Sequence, residues 1–371
     1  MLAALCELPE LFRDAARNAA AGSPLTHVLL SAAAEDLQAG GVTAEVMAGT
    51  ERDRGGSVPG LRFAGAVHRL VLEGRAPRLA RHYPTVGGTP VLDELWTDTE
   101  PVLHQHVDVL RRRVRATVVQ TNEPGRMAPL HGGLLVAAQR AAEAAGHAEP
   151  FPIRLLEVGA SGGLNLRPDR VALELPGGRT LGDPDSPLRL PTEWAGLPPA
   201  DLDAPLRVIE RAGCDANPVD ITTEDGRLHL SSFVWPDMLD RWRRLQAALR
   251  LAATNPVRVA AAPGPSWLAR RLAERRPGLL TVVWHSIVWQ YVSPGDRARG
   301  RAVLAAAATK ATPEAPLALL VYEPRRTAGG QGPSRWRFDL LLRLWPAGHS
   351  LYLGSGGGHG IPFSWDVRPW T

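Results

Sequence analysis

After Pro150 the chain repeats an alternation that few folds accommodate: a short apolar run, then an amphipathic segment. "IRLLEV", "RVIE", "VRVAAA", "LLTVVW", "LALLVYE" and "HSLYLG" are rich in branched aliphatic residues. Between them lie "WPDMLDRWRRLQAALRLA", "SWLARRLAERR", "DRARGRAVLAAAATKA" and "WRFDLLLRLW", all read as helices from their apolar spacing. Unbroken apolar runs suit strands buried on both faces, and strand-then-helix repetition suits a parallel sheet covered on both sides. The expected fold is therefore α/β, with a doubly wound, Rossmann-like sheet over residues 151–371. Residues 167–207 are rich in proline and glycine and read as an insertion, with a hairpin expected at "RVALEL". The stretch "AGHSLYLGSGGGHGIPFSWD" is expected to complete the sheet with an antiparallel pair.

Residues 1–150 have a different character. "LPELFRDAARNAA", "PLTHVLLSAAAEDLQ", "RFAGAVHRLVLEGRAPRLARHY", "PVLDELWTDTEPVLHQHVDVLRRRV" and "LHGGLLVAAQRAAEAAG" carry apolar residues at helical spacing. Gly40-Gly41, Gly55-Gly56, Gly87-Gly88 and Gly146 punctuate them as helix stops. Two domains follow as the expectation: a helical cap at 1–150 and the α/β domain at 151–371. His68 and His82 read as hydrogen-bonded helix histidines.

Composition narrows the function classes. Charge is +4 over 371 residues, and all 42 basic residues but Lys310 are arginines interspersed with 38 acids. The tightest cluster, Arg111, Arg112, Arg113 and Arg115, falls on a helix with no aromatic stacking partner, so an ion-paired or solvated face is expected rather than nucleic-acid binding. No apolar run of membrane-spanning length occurs, and "MLAALCELPELFRDAAR" is too acidic for a secretion signal, so no membrane contact and a cytoplasmic location are expected. Cys6 and Cys214 form no disulfide framework and read as buried thiols. His104 and His106 point to different helix faces, and HExxH and paired CxxC are missing, so no metal site is expected; "GASGG" has the spacing of GxSxG, but it is read as a glycine turn rather than as a hydrolase nucleophile.

The chemistry points to "LLEVGASGGLNL". A buried run ends on Glu157 and is followed by Gly159, Ser161, Gly162 and Gly163. At the first strand-to-helix turn of such a sheet, glycine lets backbone approach a ligand and a helix start offers free N–H groups. An acid at the strand end suits a ligand with hydroxyls or a cationic centre. The pattern matches the S-adenosylmethionine form of the turn, with Ser161 in place of the middle glycine. Glu157, Gly159, Ser161 and Gly163 are therefore the cofactor candidates, joined by Asp215 in "CDANP" as ribose-binding acid or, alternatively, as cap of its own turn. Ligands of such sheets lie at the carboxyl ends of strands. That rule adds His285, the candidate general base or else an imidazole hydrogen-bonded inside the core, with Ser286 and Glu323. Gln290, on the next turn, is expected either to orient substrate or simply to pack. In "VVQTNEPGRMAPL", Asn122, Glu123 and Arg126 suit substrate recognition, Arg126 as a carboxylate clamp, or alternatively a helix N-cap with a structural ion pair. His359, in "GSGGGHGIPFSW", reads as a lid histidine or a hairpin turn.

"HRLVLEGRAPRLARHYPTVGG", "VQTNEPGR", "LLEVGASGGLNL", "ERAGCDANPVD", "SSFVWPDM", "VVWHSIVWQYV" and "GHGIPFSW" together resemble an uncharacterised bacterial family, domain-of-unknown-function family 2332, across nearly the whole chain. The resemblance implies a methyltransferase-like sheet and no established reaction. With the glycine turn, it leads to an expected S-adenosylmethionine-dependent transfer to a small molecule. Three features depart from that pattern: Ser161, Pro168 close behind the turn, and Ala262 and Gly264 where a third-strand acid would stand. They motivate the alternatives: a binding module that has lost the cofactor, or a nicotinamide-dinucleotide protein.

Overall fold

In chain order, the computed structural model runs through α1 (Leu2–Ala19), α2 (Pro24–Ala39), α3 (Val42–Met47), α4 (Pro59–Leu72), α5 (Pro77–Ala80), α6 (Leu95–Ala116) and α7 (Met127–Ala145). Then come β1 (Ile153–Val158), β2 (Ala172–Glu174), β3 (Thr180–Gly182), β4 (Arg189–Pro191), β5 (Trp194–Ala195) and β6 (Val208–Asp215). After α8 (Glu224–Ser232) and α9 (Leu239–Thr254) follow β7 (Val259–Ala261), α10 (Gly264–Ala273), β8 (Leu280–Ser286) and α11 (Pro294–Ala308). The chain closes with β9 (Leu317–Arg326), β10 (Trp336–Trp345), β11 (His349–Gly356) and β12 (Phe363–Pro369). The structure describes residues 2–50, 57–327 and 336–370, with side chains from residue 7 onward; the Gly55-Gly56 helix stop and the Cys6 thiol lie outside these.

Two compact units are present: residues 1–121 with 220–243, and residues 122–219 with 244–371. The first unit is helical. Phe12, Leu29, Leu30, Val46, Phe63, Val67, Leu70, Leu103 and Leu110 form its core, drawn from the apolar faces of α1, α2, α3, α4 and α6. Local signals set the ends of α2: Ser23 accepts the Thr26 N–H at its start, Pro24 opens its first turn, and Gly40 closes it at φ +77°. His68 bonds the Ser232 carbonyl and the Thr85 hydroxyl, and His82 bonds Asp98, so both serve structure. Burial pushes the His68 imidazole down to about 4, which keeps it neutral in this core.

The second unit is built on a nine-stranded sheet in the order β5-β12-β11-β10-β9-β8-β1-β6-β7. Strands β7, β6, β1, β8 and β9 are mutually parallel. Strands β10, β11 and β12 continue as an antiparallel meander. Counted by first appearance, the parallel half reads third, second, first, fourth, fifth. The order therefore reverses between β1 and β8, where open sheets of this kind bind ligands. The inner strands read as buried apolar runs for the expected reason: both faces are covered. α10 and α11 pack over Leu156, Val283, Leu317 and Leu319. Gly133 of α7 meets Leu320 and Leu340 on the opposite face. By packing, α7 thus belongs to the sheet rather than to the helices before it.

Two expectations need correction. "WRFDLLLRLW" is strand β10 and not a helix; Leu340, Leu341 and Leu342 are all buried because β9 and β11 flank it and both faces are covered. A run apolar on both faces does not carry a helix-or-strand signature in its periodicity alone. The helix expected after the glycine turn is missing. Short 3-10 turns at Leu164–Leu166 and Pro168–Arg170 lead into a three-stranded sheet, β3-β2-β4, where the expected hairpin pairs Leu173 with Leu181. Among the described residues no helix is long and apolar enough to cross a membrane.

Candidate functional site

Strand β1 carries Glu157 to the carboxyl edge beside Trp284 of β8, its register partner. Register partners share a face and successive strand residues alternate, so Glu157, Trp284 and Ser286 lie on the α7 face while His285 lies on the α10 and α11 face. The contacts agree. Arg126, just before α7, reaches the Ser286 hydroxyl at 3.4 Å, whereas His285 stacks on Trp289, over which Arg297 and Arg301 of α11 lie. The residues singled out from sequence therefore form two groups, back to back across the edge of the sheet.

On the α10 and α11 face, His285 Nδ1 lies 2.7 Å from Glu323 Oε1. That oxygen also accepts the N–H groups of Val288 and Trp289 at 3.2 and 3.3 Å. In the tautomer that carries its proton on Nδ1, the imidazole donates to Glu323 Oε1 and presents Nε2 as an acceptor. Among the described residues Nε2 has no partner, and Glu323 Oε2 is buried without one. Gln290 is exposed on the following turn, its carbonyl taken by Arg297.

On the α7 face, Glu157 is buried and its Oε2 finds no hydrogen bond among the described residues. Burial pushes its carboxyl from 4.5 up to about 8; Asp215 adds to the rise, and the Trp284 indole, Arg126 and Arg167 oppose it. Glu157 is thus mostly protonated at neutral pH. Arg126 Nε donates to the Gly358 carbonyl at 3.0 Å. Glu123 is buried, accepts the Gly125 N–H and ion-pairs with Arg244 and His359 at 3.2 and 3.4 Å. Asn122 accepts the Leu164 N–H at 3.0 Å and so pins the loop after β1. The segment 122–126 and His359 therefore meet, as substrate candidates must. Sequence reasoning missed Trp284, Trp289, Asn165, Arg167 and Arg244. Asn165 Oδ1 and Arg167 Nη2 are buried without partners, and only three-dimensional placement separates them from ordinary loop residues.

The glycine turn is strained and closely packed. Gly159 and Gly163 have φ of +74° and +71°, and Ser161 has φ +52°. Ile287, just past β8, also has φ +52°, which for a β-branched residue is costly and clusters at functional sites. A Cβ on Gly159 would come within 2.4 Å of Val288, and one on Gly163 within 2.8 Å of Val259. Asp215 uses Oδ2 for the Ser161 N–H and Oδ1 for the Asn217 N–H, both at 2.9 Å, so it serves as a cap in this structure. A Gly159→Ala variant is expected to lose about 2 kcal/mol in urea denaturation, from the positive φ and the Val288 contact together. Adding Val288→Ala should cost less than the two single losses summed; strict additivity would show that the two do not pack.

Among the described residues no group of three His, Cys, Asp or Glu side chains could hold a metal ion. A cavity of about 170 Å³ in this unit opens elsewhere, between α7 and Trp345.

A model of the family described as an uncharacterized protein conserved in bacteria, domain of unknown function 2332, matches residues 9–365. No curated protein and no solved structure matches the chain.

Proposed function

Taking as premise that the chain belongs to this bacterial family, we propose that it is an enzyme transferring a group to a small molecule, with S-adenosylmethionine as donor and His285 as general base. The observation that carries the reading is the His285–Glu323 pair at the carboxyl edge beside the strand-order reversal, with no partner on Nε2 among the described residues.

The fit to the donor divides by residue. Glu157 fits, because a buried carboxyl with an orphaned oxygen at the end of β1 suits a ligand hydroxyl. The glycine bend fits only if Val288 leaves, since its side chain occupies the space over Gly159. When bound, the donor supplies an electrophilic carbon on a sulfonium. The chain's own residues account for the remainder. His285 Nε2 removes the acceptor's proton, and Glu323 stabilises the imidazolium that results. Ser286 and Arg126 hold a polar or anionic group of the acceptor at the other side of the edge, and Glu123 with His359 closes over it.

Isothermal titration with S-adenosylmethionine and S-adenosylhomocysteine tests the proposal. Saturable binding of both is expected, weakened at least tenfold by Glu157→Gln. No heat and no thermal shift with either ligand would remove it.

A second reading is favoured by one set of observations: Val288 over Gly159, both oxygens of Asp215 on backbone, and no helix after the turn. Under it, the chain is a binding module that kept the sheet and lost the cofactor. Its distinguishing result is an unchanged biological phenotype in His285→Ala cells.

A further inference from the structure

The arginine cluster of α6 is not uniform. Arg111 bonds Asp108 and the Glu45 carbonyl, Arg113 bonds both oxygens of Glu73, and Arg115 bonds the Ala48 carbonyl. Arg112 has no partner among the described residues. It lines a cavity of about 300 Å³ within the helical unit, together with Arg69, Arg113, His229 and Phe233. Among the described residues the buried Nη1 of Arg113 also lacks a partner, and the His229 ring packs edge-on against Phe233 without a hydrogen-bond partner. Burial, then Arg69, pushes the His229 imidazole down, so it faces the cavity neutral.

The charges at this cavity are unbalanced. Arg69 and Arg113 share Glu73, and Arg69 also holds Asp225 at the rim, where that carboxylate is 88% exposed. Glu73 is ionised: burial would raise its carboxyl, but Arg113 and Arg69 hold it below the usual carboxylate range. Among the described residues, three guanidinium groups at the cavity thus face two carboxylates, Glu73 being shared with Arg75 as well, and the one without a carboxylate is Arg112. The wall opposite is apolar, made by Ala66, Gly65 and the Phe233 ring.

We propose that this cleft binds a small oxyanion, a phosphate ester or a carboxylate, on Arg112, Arg113 and His229, with the ligand's apolar part against Phe233. Planar, forked donors with free N–H groups suit either anion, and the neutral imidazole adds a further hydrogen bond. The carboxyl end of α6, at Ala116 and Thr117, contributes only partial negative charge, so side chains must supply the binding.

Titrations with phenyl phosphate, inorganic phosphate and benzoate test this. Phenyl phosphate or benzoate should bind saturably and more tightly than inorganic phosphate, and added salt should weaken binding. Whichever of the two aromatic ligands binds tighter identifies the anion class. Arg112→Glu and His229→Ala should each weaken binding at least tenfold. Arg112 is exposed and unpartnered, so its variant should melt with the parent. No saturable binding of any probe at physiological ionic strength, or an Arg112→Glu variant that binds like the parent, would overturn the proposal.

Discussion

A Glu157→Gln variant is expected to be more stable than the parent at pH 8, and to lose that advantage as the pH falls toward 4. In the folded chain the Glu157 carboxyl titrates near 8, whereas the unfolded chain releases the proton near 4.5. Between those values the native state holds a proton that the unfolded state has lost, so stability falls as pH rises. The carboxyl's favourable contribution is complete below pH 4.5 and is gone above 8. A shift of this size corresponds to about 3–5 kcal/mol, which a non-titrating amide avoids. The check is a series of urea midpoints for both proteins from pH 4 to 8. A Glu157→Gln protein that is less stable at pH 8, or a difference independent of pH, would mean that the carboxyl is not held protonated. Gain of stability with loss of ligand binding is the pattern expected where function maintains an unfavourable buried group.

The second large effect concerns His285. Its replacement by alanine should lower formation of S-adenosylhomocysteine by ~10²–10⁴-fold in a bacterial metabolite extract that supplies the acceptor. Affinity for S-adenosylhomocysteine should stay near that of the parent, because the imidazole acts on the acceptor. Glu323 permits a finer test. Its Oε1 is held by the Val288 and Trp289 N–H groups as well as by His285. A Glu323→Gln variant can keep its amide oxygen in that position, so it loses the charge but keeps the tautomer. Its loss should be smaller than that of Glu323→Ala, which frees the imidazole to turn. Equal losses, or full turnover in His285→Ala, would assign the pair a structural role.

The sheet was legible because burial writes itself into apolar runs such as "LLTVVW", and the helices of the first unit because their faces alternate. β10 was not: once both faces of a strand are covered, Leu340 to Leu342 look the same as a buried helix turn. The assignment of α7 to the sheet was also hidden, since its amphipathic pattern does not say which apolar surface it covers. At the site, chemistry-bearing residue types at strand ends were visible in Glu157, His285 and Glu323. The face each occupies depends on register, which follows from Glu157 standing beside Trp284. Two residues read from sequence as cofactor candidates also have a local structural explanation. Gly159 is required by Val288 and by its positive φ, and Asp215 is required by backbone N–H groups. A ligand-binding turn and a tightly packed turn demand the same residues.

In the proposed enzyme a ligand enters at the carboxyl ends of β1 and β8. Hydrogen–deuterium exchange with and without S-adenosylhomocysteine tests it most directly, because it reports the place as well as the fact of binding. Slower exchange is expected in peptides covering residues 157–163, with a changed rate across 285–291 as Val288 gives way. Unaltered exchange in both segments at saturating ligand would contradict it.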